Sequence, residues 1–331
     1  MRLLLFILIV TGIFTSSGCI EDQFSVGTSG ENNGLDVYGM RPQAVTILRQ
    51  ALKDNSDLIR IHAIEVVATT GRKELMPIVT TLLRSYSIGV RFSAAVAIGD
   101  MRYSPGEYAV SRLLNDKDEN AKIAAAYALT KLGREDYSSL IRNAINSNDQ
   151  TVRANSALLL GKMGDPKDLE SLYLILQDLE ASDKVKIQAI EAIAMLGDER
   201  IYQKKLWALL ISKYADDRVM GIKAMGALGT EDARNAIMTM LDDDVLEIRL
   251  CAAEQLGKLG DRAGETEVLE YFTKKSLSKD RASIVQANML GAMAIGQIGG
   301  NSLTKFLPGL MKDRSKVVRL RAAQAVLLLA K

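Results

Sequence analysis

The sequence predicts an all-α fold, a right-handed α-solenoid of about nine helical hairpins, and three observations predict it. A thirteen-residue pattern recurs, as in VRANSALLLGKMG (152–164), AKIAAAYALTKLG (121–133), VKIQAIEAIAMLG (185–197) and IRLCAAEQLGKLG (248–260). Nine copies end at 71, 102, 133, 164, 197, 229, 260, 299 and 330, and five of the eight spacings equal 31. A second helical stretch precedes the frame in each unit, clearest at 138–145, 232–241 and 301–311, across polar turns such as Asn146-Ser147-Asn148-Asp149. The length of 331 residues suggests two domains on average, but the fixed period replaces them with one array over 40–331.

The chain opens Met1-Arg2, runs largely apolar over residues 3–14, and exits through Ser16-Ser17-Gly18-Cys19. A basic start, a short apolar run and a small-residue exit make a secretory signal, expected over 1–18. Twelve helical residues rise roughly 18 Å, short of a bilayer core of roughly 30 Å. Ser17-Gly18-Cys19 resembles the lipobox of bacterial lipoproteins, which implies acylation of Cys19 and anchoring at the envelope membrane. Ser16 stands where that motif usually has an aliphatic residue, and a soluble secreted product is the alternative. Residues 19–39 are rich in Gly, Ser, Asn and Asp without period, as a flexible tether is.

Within the frame, position two reads Arg60, Arg91, Lys122, Arg153, Lys186, Arg218, Arg249, Asn288 and Arg319, and an acid lies six residues earlier in five units, at Asp54, Asp116, Glu180, Asp243 and Asp313. Positions five and six are mostly small, and position ten is Gly at 99, 161, 226, 257 and 296. A glycine inside a helix costs about 1 kcal/mol against Ala, so close approach of neighbouring helices is expected there. The frame's final Gly suits a left-handed C′ position.

A two-helix unit of 31 residues with a turn acid, Val-Arg, paired small residues and a Leu-Gly-Asp link (Leu196-Gly197-Asp198, Leu259-Gly260-Asp261) resembles the HEAT repeat, in the short subtype named after phycobilisome lyases. The resemblance implies that the acids and the basic position pair into a structural ladder along the turns, through Arg60, Arg91, Lys122, Arg153, Lys186, Arg218, Arg249 and Arg319. It also implies that the second helix of each unit lines the concave side. Positions four, seven and eleven share one face of that helix. They supply the expected partner-binding surface: Tyr127, Lys131, Asn155, Leu158, Lys162, Gln188, Glu191, Met195, Met220, Lys223, Glu254, Lys258 and Met293. Met beside charges suits an adaptable protein or peptide groove. Nine layers at roughly 8–10 Å each give an arc roughly 70–90 Å long.

Three late features stand outside the period. An eight-residue excess around 274–283 lengthens the eighth unit, Pro308-Gly309 interrupts the first helix of the last unit and should kink it, and the chain ends in an apolar run over 325–330. A terminal repeat normally shows a polar outer face, so that run predicts a partner, a self-association surface, or a helix packed back on the first helix of its own unit. Trp207, beside Leu206, Leu209 and Leu210, is expected in the core.

Composition bounds the chemistry. With 42 Lys+Arg against 40 Asp+Glu there is no footprint for nucleic acid. One His and two Cys offer no metal cluster, disulfide framework or histidine pair for acid–base work. Hydroxylases on related repeats hold iron through His-Glu pairs, whereas His62 is followed by Ala63. No Gly-Lys-Ser/Thr phosphate loop occurs, so no cofactor is expected. The reading is an exported, lipid-anchored scaffold that binds protein partners and not an enzyme. A lyase-like modifying enzyme and a structural envelope spacer are the alternatives.

Overall fold

The computed structural model describes residues 36–274 and 280–330. The expected signal, Cys19 and the tether up to residue 35 lie outside the described residues, as do Lys275 and Lys279 of the long turn. The described residues contain no strand, and each predicted unit is a hairpin. The first four pair α1 (Val37–Ala51) with α2 (Asp57–Thr69), α3 (Met76–Thr81) with α4 (Ile88–Asp100), α5 (Glu107–Ser111) with α6 (Glu119–Lys131), and α7 (Ser138–Ala144) with α8 (Gln150–Met163). The next four pair α9 (Leu169–Gln177) with α10 (Asp183–Met195), α11 (Trp207–Leu210) with α12 (Ala215–Leu228), α13 (Glu231–Thr239) with α14 (Leu246–Lys258), and α15 (Glu265–Thr273) with α16 (Arg281–Ile298). In the ninth, α17 (Asn301–Thr304) and α18 (Leu307–Leu310) share the outer layer, split beside Pro308, and pack with α19 (Lys316–Leu329). Helix α1 starts at Val37, three residues before the expected boundary of the array. The excess in unit eight is taken up in part by α16, which runs 18 residues.

Two backbone features set the geometry of each link. Gly164 ends α8 at φ +79°, which lets the next unit turn back without a Cβ penalty. At the equivalent link of the second unit the residue is Arg102, which holds φ +44° with a full side chain. Inner helices then meet through position ten. A Cβ on Gly161 would lie 2.7 Å from Ala192 Cα, and one on Gly296 would lie 2.7 Å from Ala325 Cα. Ala192 and Ala325 both occupy position eight of the following frame. The missing methyl is the groove into which the next helix settles, and close packing offsets the propensity cost.

The ladder forms with its rungs shifted by one unit. Arg60, Arg249 and Arg319 donate to the main-chain carbonyls of Asp54 (2.8 Å), Asp243 (2.7 Å) and Asp313 (2.7 Å), six residues back. The carboxylates go elsewhere. Arg91 meets Asp116 at 2.9 Å, Arg153 meets Asp178 at 2.5 Å, and Arg218 meets Asp243 at 2.8 Å, each acid in the following unit. The acid of the fifth unit is therefore Asp178 and not Glu180, because a rung acid must also accept the N–H two residues on, as Asp178 does from Glu180. The lysines at 122 and 186 hold no salt bridge among the described residues.

The array closes on itself. Helix α1 packs mainly against α19, and one continuous apolar cluster joins Leu48 and Leu52 of the first unit to Leu320 and Leu327 of the last. Lys316 Nζ lies 2.7 Å from Asp54 Oδ2, so the last unit serves the first acid of the ladder. The open arc expected from nine layers is thus a ring. The apolar ending is explained by burial against α1: Val326 and Leu327 are fully covered.

Trp207 departs from the expectation. It is 47% exposed, while Ile201, Leu206 and Leu210 are buried. Ile201 and Leu206 are five residues apart, a spacing that an α-helix cannot put on one face. The chain resolves it with a π-helical turn over Tyr202–Leu206, which turns Leu206 inward and Trp207 outward.

Candidate functional site: the charged interior of the ring

The inner helices α2, α4, α6, α8, α10, α12, α14, α16 and α19 carry the expected binding face, and ring closure encloses it. None of its thirteen residues is exposed: Tyr127, Leu158, Glu254 and Met293 are buried, and the other nine are half-buried. The inner face is therefore largely covered and not freely exposed. Leu158 and Met293 are packing residues between units.

The polar members converge. Tyr127 Oη donates to Asp100 Oδ1 at 2.5 Å, and Lys162 Nζ approaches Asp100 Oδ2 at 3.0 Å. Asp100 and Lys162 come from the second and fourth units and meet over the third, which shows how tightly the interior curves. Gln188 donates to Glu191 at 2.7 Å, and Asn155 to Asn120 at 2.8 Å. At the seam the fully buried Arg321 contacts Gln324 Oε1 (2.8 Å), His62 Nδ1 (3.1 Å) and Glu65 Oε2 (3.2 Å). Residues His62, Glu65, Asp100 and Arg321 complete a network of which only part was in the expected set. Their positions four, seven and eleven in the outermost units were the signal for them.

Burial dominates the electrostatics. It raises the carboxyls of Glu191 and Glu254 above the usual carboxylate range, against the pull of Lys223 and Lys258 on both. Glu254 also feels Arg321 and Glu65 from across the ring, and its buried Oε2 has no hydrogen-bond partner among the described residues. Burial lowers Lys258 and Lys131, the latter helped by Arg102. It pushes Tyr127 well above its ordinary value, with Asp100 adding to the effect. Burial likewise lifts the Cys251 thiol to about 12, so it stays protonated at neutral pH and is a poor nucleophile.

Comparison with known proteins agrees with the repeat architecture. A family model of HEAT repeats matches residues 45–110 and 107–194. None of the curated proteins matches the chain. Among solved structures it is similar to the complex of CpcE and CpcF of phycocyanin lyase from Nostoc sp. PCC7120, at 16% identity and a TM-score of 0.44, over 82% of this chain and 99% of that one. It is similar to human deoxyhypusine hydroxylase at 18% identity and a TM-score of 0.37, over 79% and 98%. A Kap95:Nup1 complex follows at 11% identity and a TM-score of 0.37, over 87% and 46%. The chain carries HEAT repeats across residues 45–194, within a helical array that continues through the ninth hairpin.

Proposed function

We propose that the protein is an exported, lipid-anchored scaffold that binds a protein partner on the outside of its ring. The observation that carries the reading is where apolar side chains remain uncovered. With the inner face enclosed, large apolar residues are exposed on the outer helices and turns of the fifth and sixth units. Leu174, Leu179, Trp207, Ile211 and Tyr214 are between 47% and 92% exposed, whereas Tyr38, Tyr86, Ile88, Tyr108, Leu140 and Met238 are spread over five other units. Apolar side chains gathered in one region of a surface mark interaction sites more often than scattered ones do. Export and anchoring rest on the apolar run of residues 3–14 and on Ser17-Gly18-Cys19.

A photo-crosslinking amino acid at Trp207, in cells, tests the binding face. Adducts with a discrete protein are expected there and not from the same group placed at Lys223 inside the ring. Adducts from Lys223 alone would overturn the outer-face assignment. Cys19→Ala should release the protein from the membrane fraction and abolish palmitate labelling; labelling that survives refutes the anchor.

A further inference from the structure

The outer face of the fifth and sixth units holds a groove of about 550 Å³ between α9 and the π-helical turn. It is an open depression, across which a short stretch of peptide can lie. Its floor is apolar and aromatic, through Leu169 and Tyr173. Leu174, 59% exposed, stands on its wall.

The rim is cationic. Lys167, Arg200 and Lys204 line the groove against a single carboxylate, Glu170. Asp198 neutralises Arg200 beside it, so the uncompensated cations of the rim are Lys167 and Lys204. The cations are held in place by the ring beneath them. Arg200 Cζ lies 5.2 Å and Lys204 Nζ 4.9 Å from the centroid of Tyr173. Arg200 is also paired with Asp198 at 2.5 Å, whereas Lys167 and Lys204 hold no salt bridge among the described residues. The π-turn sets the geometry on the second side, because it leaves Lys204 on the groove and Trp207 exposed just beyond it.

We infer that this groove takes an acidic peptide segment with apolar anchors, contributed by the protein partner. Leu169, Tyr173 and Leu174 receive the anchors, and Lys167 and Lys204, which Asp198 leaves uncompensated, receive the carboxylates. The inference rests on the reading that the outside of the ring binds protein. Complementary charge of this kind selects partners and speeds encounter more than it adds raw affinity.

Trp207 is the sole tryptophan and follows the groove residue Lys204 by three positions along the chain, so its emission is the readout in the full chain. The probes are two synthetic dodecapeptides without Trp, one alternating Glu with Leu and Phe, the other with Lys in place of Glu. The acidic peptide is expected to shift the emission saturably, and the basic one not. Lys204→Glu and Lys167→Glu, both exposed positions, should each weaken binding, and the pair together by at least about tenfold. Raising salt from 0.05 to 0.5 M, roughly a threefold drop in Debye length, should weaken it as well. Equal response to both peptides, or unchanged binding by the double variant, overturns the inference. So does a response to phosphatidylglycerol vesicles with none to the acidic peptide, which would make the groove a lipid contact. If the peptides fail while Trp207 still crosslinks a protein, the groove assignment falls and the outer-face scaffold stands.

Discussion

An ordinary junction between units and the seam that closes the ring are built from different materials. At an ordinary junction, such as α8 on α10, the inner helices touch through Gly161 and Ala192, and the ladder adds a rung between neighbouring turns, as in Arg153 to Asp178. At the seam α19 meets α1, an outer-layer helix, more than α2. The ladder acid of the first unit is served by Lys316, not by Arg319, and a fully buried Arg321 reaches His62 and Glu65. Ordinary junctions are repeated by the sequence period and need only small residues. The seam occurs once, joins two helices of different kind, and relies on apolar burial plus a directed cation.

That difference predicts unequal responses to substitution. Arg321→Ala should have the largest effect, about 3 kcal/mol lost in chemical unfolding, because Glu65 and His62 are left without the guanidinium in a place with little water. Small-angle scattering should show a larger radius of gyration for this variant if the seam opens. Gly161→Ala should cost less, about 1–2 kcal/mol, since the overpacking penalty is offset in part by better helix propensity. Its radius of gyration should stay that of the wild type, and a swollen Gly161→Ala protein would erase the distinction.

Glu254 lies where the two kinds of region meet, since it feels Lys223 and Lys258 as well as Arg321 and Glu65. Its folded-state pKa is raised, so the native state binds the proton more tightly than the unfolded chain. Its contribution is complete below the ordinary carboxyl range and is lost as pH rises through the raised value. Glu254→Gln should therefore raise Tm at pH 7–8 and leave it unchanged at about pH 3, below both pKa values. A higher Tm at both pH values would mean that packing, not ionisation, is responsible. The smallest effect belongs to an ordinary link. Arg102→Gly should stabilise by about 0.5–1 kcal/mol by relieving a left-handed backbone at φ +44°, read as a rise in the denaturation midpoint.

The units were legible because each carries its own period and turn, and seven of the nine a terminal glycine, all local signals. The ladder was half legible. The acid and the basic position were right at Asp243 and Arg218, but a spacing along the chain cannot say that the carboxylate of Asp243 serves Arg218 of the preceding unit while its carbonyl serves Arg249. Closure was not legible, because curvature is the sum of nine small rotations and no residue encodes it. The apolar tail over 325–330 was its trace. Trp207 was misplaced because the five-residue interval from Ile201 to Leu206 is invisible to a regular helical wheel. The accessibility of positions four, seven and eleven was not legible either, because it depends on closure.

The seam has a consequence for how the molecule is made. Its polar contacts join residues 256 to 262 apart along the chain, so they cannot form until nearly all of it is present. Neighbouring hairpins can assemble as they appear, but the apolar side of α1 waits for α19, a long interval in which it is open to chaperones or to wrong partners. Once the circle is shut, no unit is first or last in space. A circularly permuted gene, cut at the Gly164 link and joined through a flexible linker between residues 330 and 37, should encode the same ring with a different helix left waiting.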